Sequence, residues 1–222
     1  MPRIARLVIK GYPHHVSQRG NYSQKIFFCD KDKLYYLSLI KKYSEKYRLS
    51  ILAYCLMNNH VHFIVVPKKG DSMAKTFDVV NAKYSQFINK KKRLKGHLWE
   101  SRFYSCCMDD NHAYVATRYL EQNPVKAKLV DEAWQWRWSS ALFHIGEKDY
   151  SGILQKSDFL PQPDEWKKEL KSTEPKIMIN KLEWCTKTGR PFTEFSVIRK
   201  LEKIINKNLR QRRVGRPRKT EK

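Results

Sequence analysis

The sequence predicts an α+β protein with a ferredoxin-like, four-stranded antiparallel sheet and helices in the order β-α-β-β-α-β. A further helix and a helical, basic C-terminal extension follow. Three observations lead there. Two short apolar runs meet at Asn58-Asn59 and read as a hairpin, two long amphipathic segments flank that hairpin, and an aromatic strand-like run precedes a third helical segment.

The first strand falls within residues 6–18, where Leu7, Val8, Ile9, Tyr12 and Val16 lie around a bend at Gly11-Tyr12-Pro13. Asp30 can cap a helix in which Leu34, Leu37, Ile40, Tyr43 and Tyr47 recur at helical spacing. Residues 49–57 and 61–66 are the hairpin strands; Asn58 and Asn59 tolerate turn geometry, and Pro67 stops the second run. From 72 to 93, Met73, Phe77, Val80, Tyr84, Phe87 and Ile88 repeat every three to four positions. That helix ends in Lys90, Lys91, Lys92 and Arg93, cations suited to the negative pole of its dipole. Residues 98–108 supply the last strand, and Asp109-Asp110-Asn111 can cap the third helix through Tyr114, Arg118 and Tyr119.

Past Gly146, Pro161, Pro163 and Pro175 punctuate short helical stretches at 164–171, 176–185 and 195–209, so the chain divides near residue 150 into units 1–150 and 151–222. The last 24 residues hold 11 Lys+Arg against 2 acidic residues. With 45 Lys+Arg against 22 Asp+Glu, the net charge of +23 points to a polyanionic partner. An aromatic content of 13% supplies burial enough for a folded body. No run reaches the roughly 18 apolar residues of a membrane span, and the N-terminus carries no secretion signal. Five cysteines without a CxxC pair argue against a disulfide framework or a cysteine zinc site and suit a reduced, cytoplasmic protein.

The informative motif is His60-Val61-His62. Residues i and i+2 of a strand share a face about 7 Å apart at the backbone, so two imidazoles there can converge on one divalent ion. Tyr119 and Asn123 lie one helical turn apart, which can set an amide oxygen beside a phenol. Asn123-Pro124 reads equally well as an N-cap with Pro at the first helical position, opening a helix over 125–130. Of His14 and His15, which alternate across the first strand, one can sit beside the pair.

Together, Met57-Asn58-Asn59-His60-Val61-His62-Phe63-Ile64-Val65, Leu98-Trp99-Glu100-Ser101-Arg102-Phe103, Tyr119-Leu120-Glu121-Gln122-Asn123-Pro124-Val125-Lys126-Ala127 and Trp136-Arg137-Trp138-Ser139-Ser140 resemble the REP-associated tyrosine transposases. These are single-tyrosine members of the HUH (His-hydrophobic-His) transposases, and the resemblance spans about residues 1–145. It implies an HUH transposase domain in 1–150 that nicks and transfers single-stranded DNA at hairpins of bacterial repetitive extragenic elements. His60, His62 and Asn123 would bind Mg²⁺ or Mn²⁺, and Tyr119 would be the nucleophile that forms a 5′-phosphotyrosine. The protein would work in the cytoplasm at the nucleoid, as a monomer or homodimer.

For DNA contacts, Lys90, Lys91, Lys92, Arg93, Arg102 and Arg118 are phosphate candidates, and Trp99, Phe103 or Tyr104 stacking candidates. Gly215-Arg216-Pro217-Arg218 resembles an AT-hook core that would lie in the minor groove of AT-rich duplex, or is a bare basic tail. The alternative function is a non-catalytic nucleic-acid binding protein using the sheet and tail, but no Lys/Arg-Gly-aromatic-Gly-aromatic strand supports it.

Overall fold

The computed structural model describes residues 6–149, 151–172, 175–206 and 208–209. Its elements are β1 (His14–Arg19), α1 (Asp30–Lys46), β2 (Leu49–Leu56), β3 (His60–Pro67), α2 (Ser72–Lys92), β4 (Tyr104–Cys107) and α3 (Asp110–Glu121). Next come α4 (Asn123–Lys126), α5 (Ala141–His144), α6 (Pro163–Glu169), α7 (Lys176–Thr188) and α8 (Phe195–Ile205). The strands form one antiparallel sheet in the order β2-β3-β1-β4, the ferredoxin-like arrangement.

Alternation along the strands divides the core. Val16, Val61, Phe63 and Val65 point at Tyr36 and Ile40 of α1 and at Phe77, Val80 and Tyr84 of α2. On the other face Ala53, Cys55, Ile64 and Cys106 meet Ala116, Tyr119 and Leu120 of α3 and Leu182 and Cys185 of α7. Trp136 and Trp138 return the chain to β2: the Trp136 indole N–H donates to Leu56 O at 3.2 Å, and Trp138 is buried in the first core. Residues from the segment after 150 thus pack on the same sheet as those before it.

Some boundaries differ from the sequence reading. The first strand begins at His14, because Gly11 takes a positive φ of 78° and turns the preceding segment away, leaving Ile9 packed with Leu201 of α8. The last strand shrinks to four residues, since Leu98 and Trp99 are drawn into the core around Tyr84. At α1 the capping carboxylate is Asp32, not Asp30; it accepts the N–H groups of Phe28 at 2.9 Å and Cys29 at 3.2 Å. Arg216 and Arg218 of the AT-hook-like tail lie outside the described residues. Among the described residues no helix is long and apolar enough to cross a membrane, and all five cysteines are free thiols.

His14 has no exposed surface; its Nδ1–H donates to Tyr12 O at 2.8 Å, and Nε2 accepts the Ile9 N–H at 3.2 Å. Both bonds require the neutral ring, and burial lowers its pKa from 6.5 to about 4. Below pH 6.5 the unfolded chain takes up a proton that the folded ring refuses. Stability from this group is therefore complete above pH 6.5 and is lost as pH falls toward 4. Urea unfolding at pH 7 and pH 5 is expected to show His14→Gln losing about 2 kcal/mol less than the wild type across that interval.

Candidate active site

His60 opens β3 and His62 follows it, and the pleat aims both away from α1 and α2. Their ring centroids are 4.9 Å apart with perpendicular planes, so both can present a nitrogen to one ion. The hairpin tip is tied down beside them: Asn59 O accepts the Gly20 N–H at 2.8 Å, and Asn58 O accepts those of Ile26 and Phe27.

Tyr119 reaches this face from the last turn of α3. Its ring lies 5.9 Å from His62 and 6.5 Å from His15, edge-on to both. The helix is anchored at its start by Asp109, whose carboxylate accepts the His112 N–H at 2.9 Å. At its end the buried Glu121 carboxylate is hydrogen-bonded to Ser140 Oγ, to His144 Nδ1 at 2.6 Å and to Trp166 Nε1 at 2.9 Å. Small residues, Ala113 and Ala116, line its buried side.

The Tyr119 hydroxyl donates to Glu183 Oε1 of α7 at 2.8 Å, and the Lys126 ammonium sits 4.8 Å from its ring centroid. Burial raises the phenol pKa above its ordinary value, and the Glu183 carboxylate raises it further. The histidines shift the other way. Burial, then the Arg19 charge, lowers His60 to about 4; burial, then the neighbouring histidines and Arg19, holds His62 well below 6.5. Burial alone lowers His15 to about 3. All three rings are therefore neutral near pH 7.

Asn123 is the first residue of α4, where Gln122 is the capping position and no side chain caps, so the N-cap reading is corrected. Its Nδ2 is buried without a hydrogen-bond partner. Among the described residues, no three His, Cys, Asp or Glu side chains gather where they could share an ion. The two imidazoles are brought together here, while Asn123 stands two residues past the end of α3, four positions on from Tyr119.

The DNA-contact candidates scatter. Lys90, Lys91, Lys92 and Arg93 are exposed at the end of α2, with Lys91 2.5 Å from Asp32 and Lys92 over Phe28. The chain then runs through Leu98, whose carbonyl accepts the Asn21 N–H beside the hairpin tip. Arg102 is exposed, while Arg118 pairs with Glu169 and donates to Ser172 Oγ. Trp99 and Phe103 are buried and cannot stack bases; Tyr104 is half-buried.

Sequence reasoning passed over four residues. Arg19 is the exposed cross-strand partner of His60, on its face. Tyr22, 95% exposed, has a left-handed backbone (φ 50°) in the turn where Ser23 O accepts from Asn59 Nδ2. Glu183 and Thr186 come from α7. The periodicity of β1 signals Arg19; nothing local signals the other three.

Residues 9–123 match the family described as Transposase IS200 like, and the chain belongs to that family. It is similar to a Haemophilus influenzae protein provisionally named REP-associated tyrosine transposase, 23% identical over 174 residues that cover 70% of this chain and 96% of the relative. A solved structure described as a REP-associated tyrosine transposase bound to a REP hairpin has the same fold, with a TM-score of 0.53 and 20% identity over 73% of this chain and 98% of that one.

Proposed function

We propose that the protein is a metal-dependent single-stranded DNA endonuclease and strand transferase that cuts at hairpins of repetitive extragenic elements and carries the cut end as a 5′-phosphotyrosine on Tyr119. The observation that carries this reading is the meeting of His60, His62 and Tyr119 on one face of the sheet, in a chain of the IS200-like family. The hairpin bound by the structurally similar transposase supports the substrate class.

Two neutral imidazoles sharing a face, with the Asn123 amide one turn on from Tyr119 and its buried Nδ2 without a partner, support Mg²⁺ or Mn²⁺ on His60, His62 and Asn123. These residues would hold the ion, which would supply the positive charge that a scissile phosphate needs during transfer. Arg19 adds a guanidinium beside His60 for a phosphate oxygen, and Tyr22 offers an open ring on which an unpaired base can stack, at about 1–3 kcal/mol. Lys90, Lys91, Lys92, Arg93 and Arg102 follow the backbone with salt-dependent affinity. In this proposal residues 1–150 cut, while 151–222 add basic duplex contacts, with Arg216 and Arg218 in AT-rich minor groove, and lend α7 to the site. The protein acts at the nucleoid, as monomer or homodimer.

In the first step the Tyr119 oxygen bonds to phosphorus while the bond to the 3′ oxygen breaks. The phenol proton passes to Glu183, the acceptor it already faces, and the 3′ oxygen takes a proton from water. The new diester keeps the energy of the old one, so a 3′-OH can later reverse the step and join strands. Glu183→Gln keeps an acceptor for the phenol but loses the base. Single-turnover cleavage at neutral pH is expected to slow about 10²–10⁴-fold with hairpin affinity unchanged.

The reading is tested with a pool of labelled single-stranded hairpins and Mn²⁺, resolved on denaturing gels and by mass spectrometry. A DNA fragment linked to Tyr119, abolished by EDTA, is the expected result. Salt-sensitive binding with no adduct across the pool would replace the reading with a non-catalytic binding protein.

A further inference from the structure

We infer that His15 and Thr186 are positioning residues that decide which nitrogen of His62 is bare, and hence free to take a cation. The inference rests on the proposed metal role of His62. It follows from the direction of three consecutive hydrogen bonds.

A threonine hydroxyl has one hydrogen, and that of Thr186 is donated to Leu182 O, one turn back on α7, at 2.8 Å. Its oxygen can then only accept from His15 Nδ1, 2.8 Å away, so His15 carries its hydrogen on Nδ1 and leaves Nε2 bare. With the Thr186 hydrogen committed to Leu182 O, Cys106 Sγ, 3.3 Å from the same oxygen, is also left to donate to it. His15 Nε2 lies 2.9 Å from His62 Nδ1, with the two ring planes within 8° of parallel, so it accepts the Nδ1–H of His62. The Nε2 of His62 is left without a hydrogen. His60 reaches the same state independently: Asn59 Oδ1 accepts from its Nδ1 at 2.7 Å, and Asn59 is held in that orientation by its Nδ2 donating to Ser23 O.

An imidazole left to itself prefers the hydrogen on Nε2, the tautomer that would block the cation. A hydroxyl on α7, well beyond the residues matched by the family, reverses that preference through His15. His15 and Thr186 are both buried, so water does not replace either partner.

Thr186→Val keeps the shape and removes the acceptor. An Nδ1–H on His15 would then be buried and unsatisfied, so the hydrogen is expected to move to Nε2 of His15, and that of His62 to its own Nε2. Two measurements on the full chain read this: ¹⁵N NMR of the histidine side chains in metal-free protein, and Mn²⁺ titration followed by the electron paramagnetic resonance of the free ion. Wild type and Thr186→Ser are expected to show His62 protonated on Nδ1. Thr186→Val is expected to show it on Nε2, with Mn²⁺ affinity about 10–100-fold weaker. A folded Thr186→Val with the wild-type tautomer and unchanged Mn²⁺ affinity would overturn the inference. If the wild type binds no Mn²⁺, the metal reading fails, while the NMR comparison still decides the relay. Should Thr186→Val not fold, His15→Phe, which keeps a ring but no acceptor, is expected to shift His62 in the same way, and an unshifted tautomer there would count against the relay.

Discussion

Tyr119→Phe is expected to abolish both strand cleavage and the covalent DNA adduct, a loss of about 10⁴-fold or more in single-turnover rate, while hairpin binding stays within about twofold. The substitution removes one oxygen and little else. The phenyl ring keeps its place among Leu120, Leu182 and Cys185 and against the His15 and His62 rings. What is lost to stability is the hydrogen bond to Glu183, about 0.5–1.5 kcal/mol, which thermal unfolding can register separately from activity. The phenol pKa is raised by burial and by Glu183, so the resting hydroxyl holds its proton, and the attack proposed for it needs an acceptor for that proton. Tyr119→Phe and Glu183→Gln therefore differ in kind. The first leaves no nucleophile and no adduct at any pH, whereas the second leaves a slow nucleophile whose adduct still accumulates. If Tyr119→Phe cleaved at the wild-type rate, another group would be the nucleophile and the proposed chemistry would fall.

Much of the fold was legible because its signals are local. The hairpin at Asn58-Asn59, the 3.6-residue periodicity of α1 and α2, and the Asp109 cap each sit within one element. His60 and His62 could be paired from strand alternation alone, since the pleat fixes their common face. The rest of the site was not legible, because its partners meet across the chain: Tyr119 with Glu183 over 64 residues, and His15 with Thr186 over 171. The periodicity of 176–185 shows that α7 is a helix but not which sheet face it covers. Trp99 and Phe103 failed as stacking residues for a related reason. Aromatic residues read the same in a core as in a binding cleft until the packing is known, and here they fill the core beside α2.

His62→Ala is expected to remove measurable Mn²⁺ binding and to slow cleavage about 10³-fold or more, since a correctly held cation contributes several kcal/mol at a reacting phosphate. His60→Ala is expected to act in the same direction, because each histidine supplies one bare Nε2 and neither can stand in for the other from its own strand position. Hairpin binding measured without metal should change little, as the phosphate contacts proposed for Arg19 and the lysines at the end of α2 involve neither histidine. That separation discriminates between the two functional readings. A binding-only protein would lose nothing it does when His62 is removed, whereas a transposase keeps its grip on the hairpin and loses the cut. The loss must also be distinguished from damage to the sheet, because truncating His62 leaves His15 Nε2 buried without a donor, at about 1–3 kcal/mol. Thr186→Val provides that contrast. It keeps both imidazoles, so raising Mn²⁺ should restore its cleavage, while His62→Ala, lacking the ligand itself, should stay slow at any Mn²⁺ concentration.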